Sequence, residues 1–117
     1  MKNRKPIFFL EDIKTSIGKI LTYTKDMSLK DFENDTKTID AVERNFEIIG
    51  EAVKNLPEEI INKNKNIPFR QIAGMRDKLI HDYFGVDYEI VYKTIKDKLP
   101  EFRTQIKNII KQVKEKE

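Results

Sequence analysis

The chain is predicted to be all-α, an antiparallel bundle of about four or five helices. Three observations say so. Apolar residues recur at three- and four-residue spacing along most of the length, no stretch alternates with the two-residue period of a strand, and breakers are few, with 4 Gly and 4 Pro in 117 residues. Hydrophobic residues make up 38% and charged residues 37%, the balance expected of helices that bury one narrow stripe and solvate the rest. The length allows one modest core, so 1–117 is read as a single domain.

From Pro6 to Thr24 the residues Leu10, Ile13, Ile17, Ile20 and Leu21 define a first amphipathic helix. Ser28-Leu29-Lys30-Asp31 has the pattern of a capped start, Ser with an acidic residue three positions on, so a short helical turn through Phe32 is expected. A second long helix opens near Asp35 or Thr36 and carries Ile39, Val42, Phe46, Ile49, Val53 and Leu56, the strongest periodic signal in the chain. Gly50 lies inside it, where glycine costs about 1 kcal/mol relative to alanine, and a close helix approach would explain its presence.

Arg44, Glu47 and Glu51 line the flank of that helix at spacings of three and four. They read as a surface ion-pair row, with the alternative that Glu47 or Glu51 turns inward to meet Arg76. Pro57 to Asn66 is a polar connector with at most a short helix over 58–61. Pro68 suits the first position of a helix expected to run to a stop near Gly85, after which Asp87 caps a helix holding Ile90, Val91, Ile95 and Leu99. Pro100 marks a break, and Phe102, Ile106, Ile109, Ile110 and Val113 form the last amphipathic helix.

The stretch 74–85, Gly-Met-Arg-Asp-Lys-Leu-Ile-His-Asp-Tyr-Phe-Gly, breaks the pattern. Phe69, Ile72, Leu79, Ile80 and Tyr83 fall along one helical stripe, and Arg76 sits in the middle of it. A guanidinium is costly to bury unpaired, so Arg76 is expected to meet a ligand, a partner or a carboxylate. A neighbouring face carries Asp77 and the only histidine, His81, four residues apart. A carboxylate so placed can accept one ring N–H and leave the other nitrogen for proton transfer. Arg76 and His81 differ by about 140° in rotation and about 7.5 Å in rise on an ideal helix, so they would converge only on a ligand lying across the groove between their faces. An anionic oxygen held by arginine beside a proton-transferring histidine fits phosphodiester chemistry.

Composition narrows the rest. Without cysteine there are no disulfides and no thiolate metal sites, and with one histidine no zinc-type cluster, so neither metal nor cofactor is assigned. The basic start Met1 to Pro6 is followed by an apolar run, Ile7 to Leu10, too short for a signal peptide or a membrane span, so a soluble cytoplasmic protein is expected. The net charge of +3 is a mild basic excess, well short of a dense nucleic-acid-binding stripe.

Three stretches, 41–52 (Ala-Val-Glu-Arg-Asn-Phe-Glu-Ile-Ile-Gly-Glu-Ala), 67–77 (Ile-Pro-Phe-Arg-Gln-Ile-Ala-Gly-Met-Arg-Asp) and 79–87 (Leu-Ile-His-Asp-Tyr-Phe-Gly-Val-Asp), resemble the HepT-like proteins of the HEPN superfamily. The spacing Arg-x4-His alone is weak; extended to Arg76-x4-His81-x-Tyr83 in this setting it is specific. The resemblance implies a homodimer whose two motif copies line one cleft. It implies a metal-independent ribonuclease toxin with a small nucleotidyltransferase antitoxin (MntA-type) as partner. Carried over by position, Arg76 would stabilise charge on the scissile phosphate and His81 would move protons. Attack by the ribose 2′-hydroxyl would leave a 2′,3′-cyclic phosphate, and Tyr83 would be the tyrosine that the antitoxin modifies with AMP. Asp77 stands where the family often has asparagine, and as a support for His81 it completes the expected site. The competing reading is a non-catalytic helical adaptor or substrate-binding subunit of a nucleotidyltransferase.

Overall fold

In the computed structural model, which describes residues 4–81 and 86–116, every described element is helical. Four long helices, α1 (Pro6–Tyr23), α3 (Thr36–Lys54), α7 (Val86–Asp97) and α8 (Leu99–Lys116), form the frame, and four short ones fill its corners: α2 (Leu29–Glu33), α4 (Glu58–Lys63), α5 (Phe69–Ala73) and α6 (Met75–Ile80). α1 lies between α3 and α8, while α5 and α6 pack on α3, and α7 closes the circuit by touching α6, α8 and α2.

The sequence dictates the starts. Pro6 opens α1, where its missing N–H has no helical partner to lose. Ser28 and Asp31 form a reciprocal capping box on α2, Ser28 Oγ accepting from the Asp31 N–H and Asp31 Oδ2 from the Ser28 N–H, both at 3.1 Å. Asp35 caps α3 by accepting from the Thr38 N–H at 3.0 Å. That bond holds the Asp35 carboxyl below the ordinary aspartate range.

The core takes the periodic residues: Leu10, Ile13, Ile17 and Ile20 from α1, Val42, Phe46 and Ile49 from α3, and Phe102 and Ile106 from α8 are all essentially inaccessible. Each such side chain contributes roughly 1.5–3 kcal/mol through removal from water. Phe69 meets Phe102 edge to face at 5.8 Å between centroids, fastening the short α5 to α8. Gly50 has the role expected of it: a β-carbon there would come within 3.3 Å of the Ala73 carbonyl oxygen, so the missing side chain lets α5 approach α3.

Three expectations need correction. Pro68 is the N-cap of α5 rather than its first residue, and the helix does not run unbroken towards Gly85. It kinks at Gly74, where ψ relaxes to −5°, and ends at Ile80, with His81 as its C-cap at φ −104°, ψ 37°. Ile80 therefore leaves the apolar stripe and is 43% exposed. Asp87 lies inside the first turn of α7, where a carboxylate still favours the positive end of the helix, instead of capping it. Pro100 falls in the first turn of α8, and Lys98 alone separates that helix from α7. The expected stop at Gly85 lies outside the described residues.

Candidate active site

Arg76 enters through the second position of α6, one turn after the close approach of Ala73 to Gly50. Its guanidinium meets the flank of α3: Nε lies 3.2 Å from Glu47 Oε2. Nε is sealed from solvent, yet its N–H is not aimed well enough to make a hydrogen bond, so the contact is an ion pair without an aligned donor. The other oxygen, Glu47 Oε1, accepts from Arg44 Nη1 one turn earlier on α3. The flank row is thus both things weighed for it, an intrahelical pair and an inward partner for Arg76. Glu47 rather than Glu51 makes the crossing.

These residues line a groove of about 540 Å³ between α1, α3, α5 and α6. Its apolar side includes Phe9, Phe46, Ile48 and Ala73, and Arg4 caps one end with its guanidinium 4.8 Å from the Phe9 ring centroid and an ion pair to Asp12 at 2.9 Å. Among the described lining residues, Arg4, Arg44 and Arg76 stand against Asp12, Glu47, Glu51 and Asp77. The wall is charged but not net basic. An anion entering it must compete with carboxylates already in place, Glu47 above all.

His81 is exposed, and it is absent from the described lining of this groove. Asp77 and His81 are joined through the main chain, the His81 N–H donating to the Asp77 carbonyl at 2.9 Å. The side-chain pairing expected from their spacing is not formed. The physical reason is the end of the helix: His81 has left helical geometry, so the four-residue stacking no longer holds. The Asp77 carboxylate is 76% exposed and lies 3.8 Å from Arg76 Nη1 instead. Tyr83, the third motif residue, lies outside the described residues, as do Asp82, Phe84 and Gly85. Among the described residues no group of histidine and carboxylates is arranged to hold a metal ion, and no helix is long and apolar enough to cross a membrane.

Arg44 and Glu47 were visible in the sequence as a charged row, but their spacing alone did not place them in the site. The signal that does so is the glycine one turn on. Gly50 brings α5, and with it the start of α6, against this face of α3.

Residues 13–109 match the family described as Ribonuclease HepT-like. A Methanocaldococcus jannaschii protein named "Putative RNase MJ0125" is 48% identical over 108 residues, covering 92% of this chain and 93% of that one. A Caldanaerobacter subterraneus protein named "Putative RNase TTE0752" is 45% identical over 97% of this chain and 100% of its own. The "Probable ribonuclease HepT" of Thermococcus cleftensis is 44% identical over 88% of this chain and 94% of its own. No solved structure gives a significant match. An all-α bundle matched over residues 13–109 by this family is a HEPN-type protein. The chain belongs to the HepT-like ribonuclease family.

Proposed function

We propose that the protein is a metal-independent ribonuclease toxin, neutralised by a nucleotidyltransferase partner that adds AMP to Tyr83. The observation that carries this reading is Arg76. It is a guanidinium at the wall of a groove, held by a partner that an incoming phosphate can replace, with the chain's one histidine exposed five residues on. Arg76 stabilises the charge that builds on the non-bridging oxygens as phosphorus becomes five-coordinate. His81 takes the proton of the ribose 2′-hydroxyl and returns a proton to the departing 5′-oxygen. The new O2′–P bond forms as the P–O5′ bond breaks, leaving a 2′,3′-cyclic phosphate and a 5′-hydroxyl. The cleft is built by a homodimer, which brings two copies of the motif to one RNA in the cytoplasm. Asp77 supports the site through its neighbour Arg76.

Modification of Tyr83, seven residues after Arg76 in the motif, adds bulky anionic groups that compete with RNA phosphate for the same guanidinium. The test is cleavage of single-stranded RNA by the purified protein in excess chelator, with product ends analysed for cyclic phosphate. Arg76→Ala and His81→Ala are expected to abolish cleavage; either variant cutting as fast as wild type removes that residue from the site. Co-expression with the partner should add whole AMP masses to the wild-type chain and none to Tyr83→Phe. A stable complex with the partner but no cleavage under any condition would leave the adaptor reading in its place.

A further inference from the structure

Glu47 divides its carboxylate between two arginines on different helices, Oε1 to Arg44 and Oε2 to Arg76. The three groups differ in exposure. Arg44 is 68% exposed, whereas Arg76 and Glu47 are 40% and 38% exposed, with Arg76 Nε out of contact with solvent. An ion pair this open contributes little to folding, so stability is a poor account of why Arg76 has a carboxylate beside it.

We propose, on the reading of Arg76 as the phosphate-binding group, that Glu47 is a positioning residue that holds Arg76 against the groove wall and yields it to RNA by shifting its charge onto Arg44. Three consequences follow from the geometry. Glu47 repels a phosphate approaching Arg76, so it weakens RNA binding. It also restrains a long side chain at the position where transition-state charge appears, so it favours turnover. Arg44 holds the other oxygen and draws the carboxylate away, so it favours RNA binding without touching RNA.

The two α3 residues therefore act on affinity in opposite directions. Glu47→Gln is expected to lower KM about three- to fivefold, the scale of one partly exposed ion pair, while lowering kcat. Arg44→Ala is expected to raise KM about threefold and leave kcat near wild type. In Glu47→Gln, the added Arg44→Ala change should have no further effect, because the charge through which Arg44 acts is gone. Glu47→Asp should restore KM towards wild type by restoring the charge, with kcat still lowered by the shorter reach.

The measurements are steady-state cleavage of a fluorescent single-stranded RNA and anisotropy binding of the same sequence in all-2′-O-methyl form, which cannot be cut. A Glu47→Gln protein with unchanged or raised KM and weaker anisotropy binding overturns the proposal. So does an Arg44→Ala effect of equal size in both backgrounds, which would make Arg44 a direct RNA contact. The controls separate this inference from the reading beneath it. Fully active Arg76→Ala defeats the ribonuclease site itself, whereas inactive Arg76→Ala with wild-type behaviour in Glu47→Gln defeats the role of Glu47 alone.

Discussion

The three longest helices of the frame, α1, α3 and α8, and the bent pair α5–α6 are made of the same kinds of residue and do different work. In the frame the apolar residues keep their period for about five turns, and the stripe they form is sealed from water with charge kept off it. In α5–α6 the period survives for about one turn on each side of Gly74, a guanidinium interrupts it, and the helix ends at the histidine. The frame lends the groove its charged flank, Glu47 and Arg44 on α3. The bent pair has little to fold with, and it is held in place by Phe69, Ile72, Met75 and Leu79 pressed into the frame's core. On the proposed function, stability rests on the frame's apolar stripes and chemistry on the bent pair with the α3 flank that meets Arg76, and substitutions in the two should be separable.

The largest expected effect is in the frame. Phe102→Ala removes a ring that is 1% exposed and bridges α8 to α5, and should destabilise the protein by about 3–5 kcal/mol in denaturant unfolding. In the bent pair the sizes reverse. Arg76→Ala and His81→Ala should change stability by less than about 1 kcal/mol, because both side chains reach solvent, while reducing RNA cleavage by about a hundredfold or more. Were either to melt the protein like Phe102→Ala, the division between the two regions would fail.

Gly50→Ala probes the seam between them. The gain in helix propensity, about 1 kcal/mol, is set against a methyl group 3.3 Å from the Ala73 carbonyl oxygen. The net stability change should stay within about 1 kcal/mol, yet cleavage should fall several-fold because Ala73 must move and Arg76 follows it three residues on. The smallest effect is at Asp35, whose carboxyl is held low by the hydrogen bond from the Thr38 main chain. A folded-state pKa below the unfolded one means stability that is fully present above the unfolded value and is lost as pH falls through the folded one. The stability gap between wild type and Asp35→Ala should therefore close as pH is lowered from about 5 to about 2, read by thermal melts.

The frame was legible because its signals are local and redundant. Ser28 and Asp35 announce starts, and Leu10 to Ile20 and Ile39 to Ile49 repeat one spacing several times, so no single residue decides the outcome. The site was legible only as a disturbance. Arg76 was conspicuous because it broke a stripe, but the stripe itself bent at Gly74, whose φ of −81° is ordinary for a helix and gave no warning. The expected pairing of Asp77 with His81 assumed a helix that continues, and whether a turn continues depends on packing against α3 and α7 rather than on the turn's own residues. Glu47 joined the site through a contact between segments 29 residues apart, a distance across which spacing rules say nothing.

The turn after α1 shows what such distant contacts impose on the order of assembly. It bends through Asp26 at φ 63°, and two of its carbonyls accept from far along the chain: Met27 from the Tyr92 hydroxyl at 2.6 Å and Thr24 from Lys96 Nζ at 2.8 Å. Helices α1 and α3 can associate soon after they exist, since only a short connector separates them, but those two acceptors wait for α7 to arrive. On a nascent chain the corner between α1 and α2 therefore leaves the ribosome unlatched, and the latch can shut only once α7 has emerged.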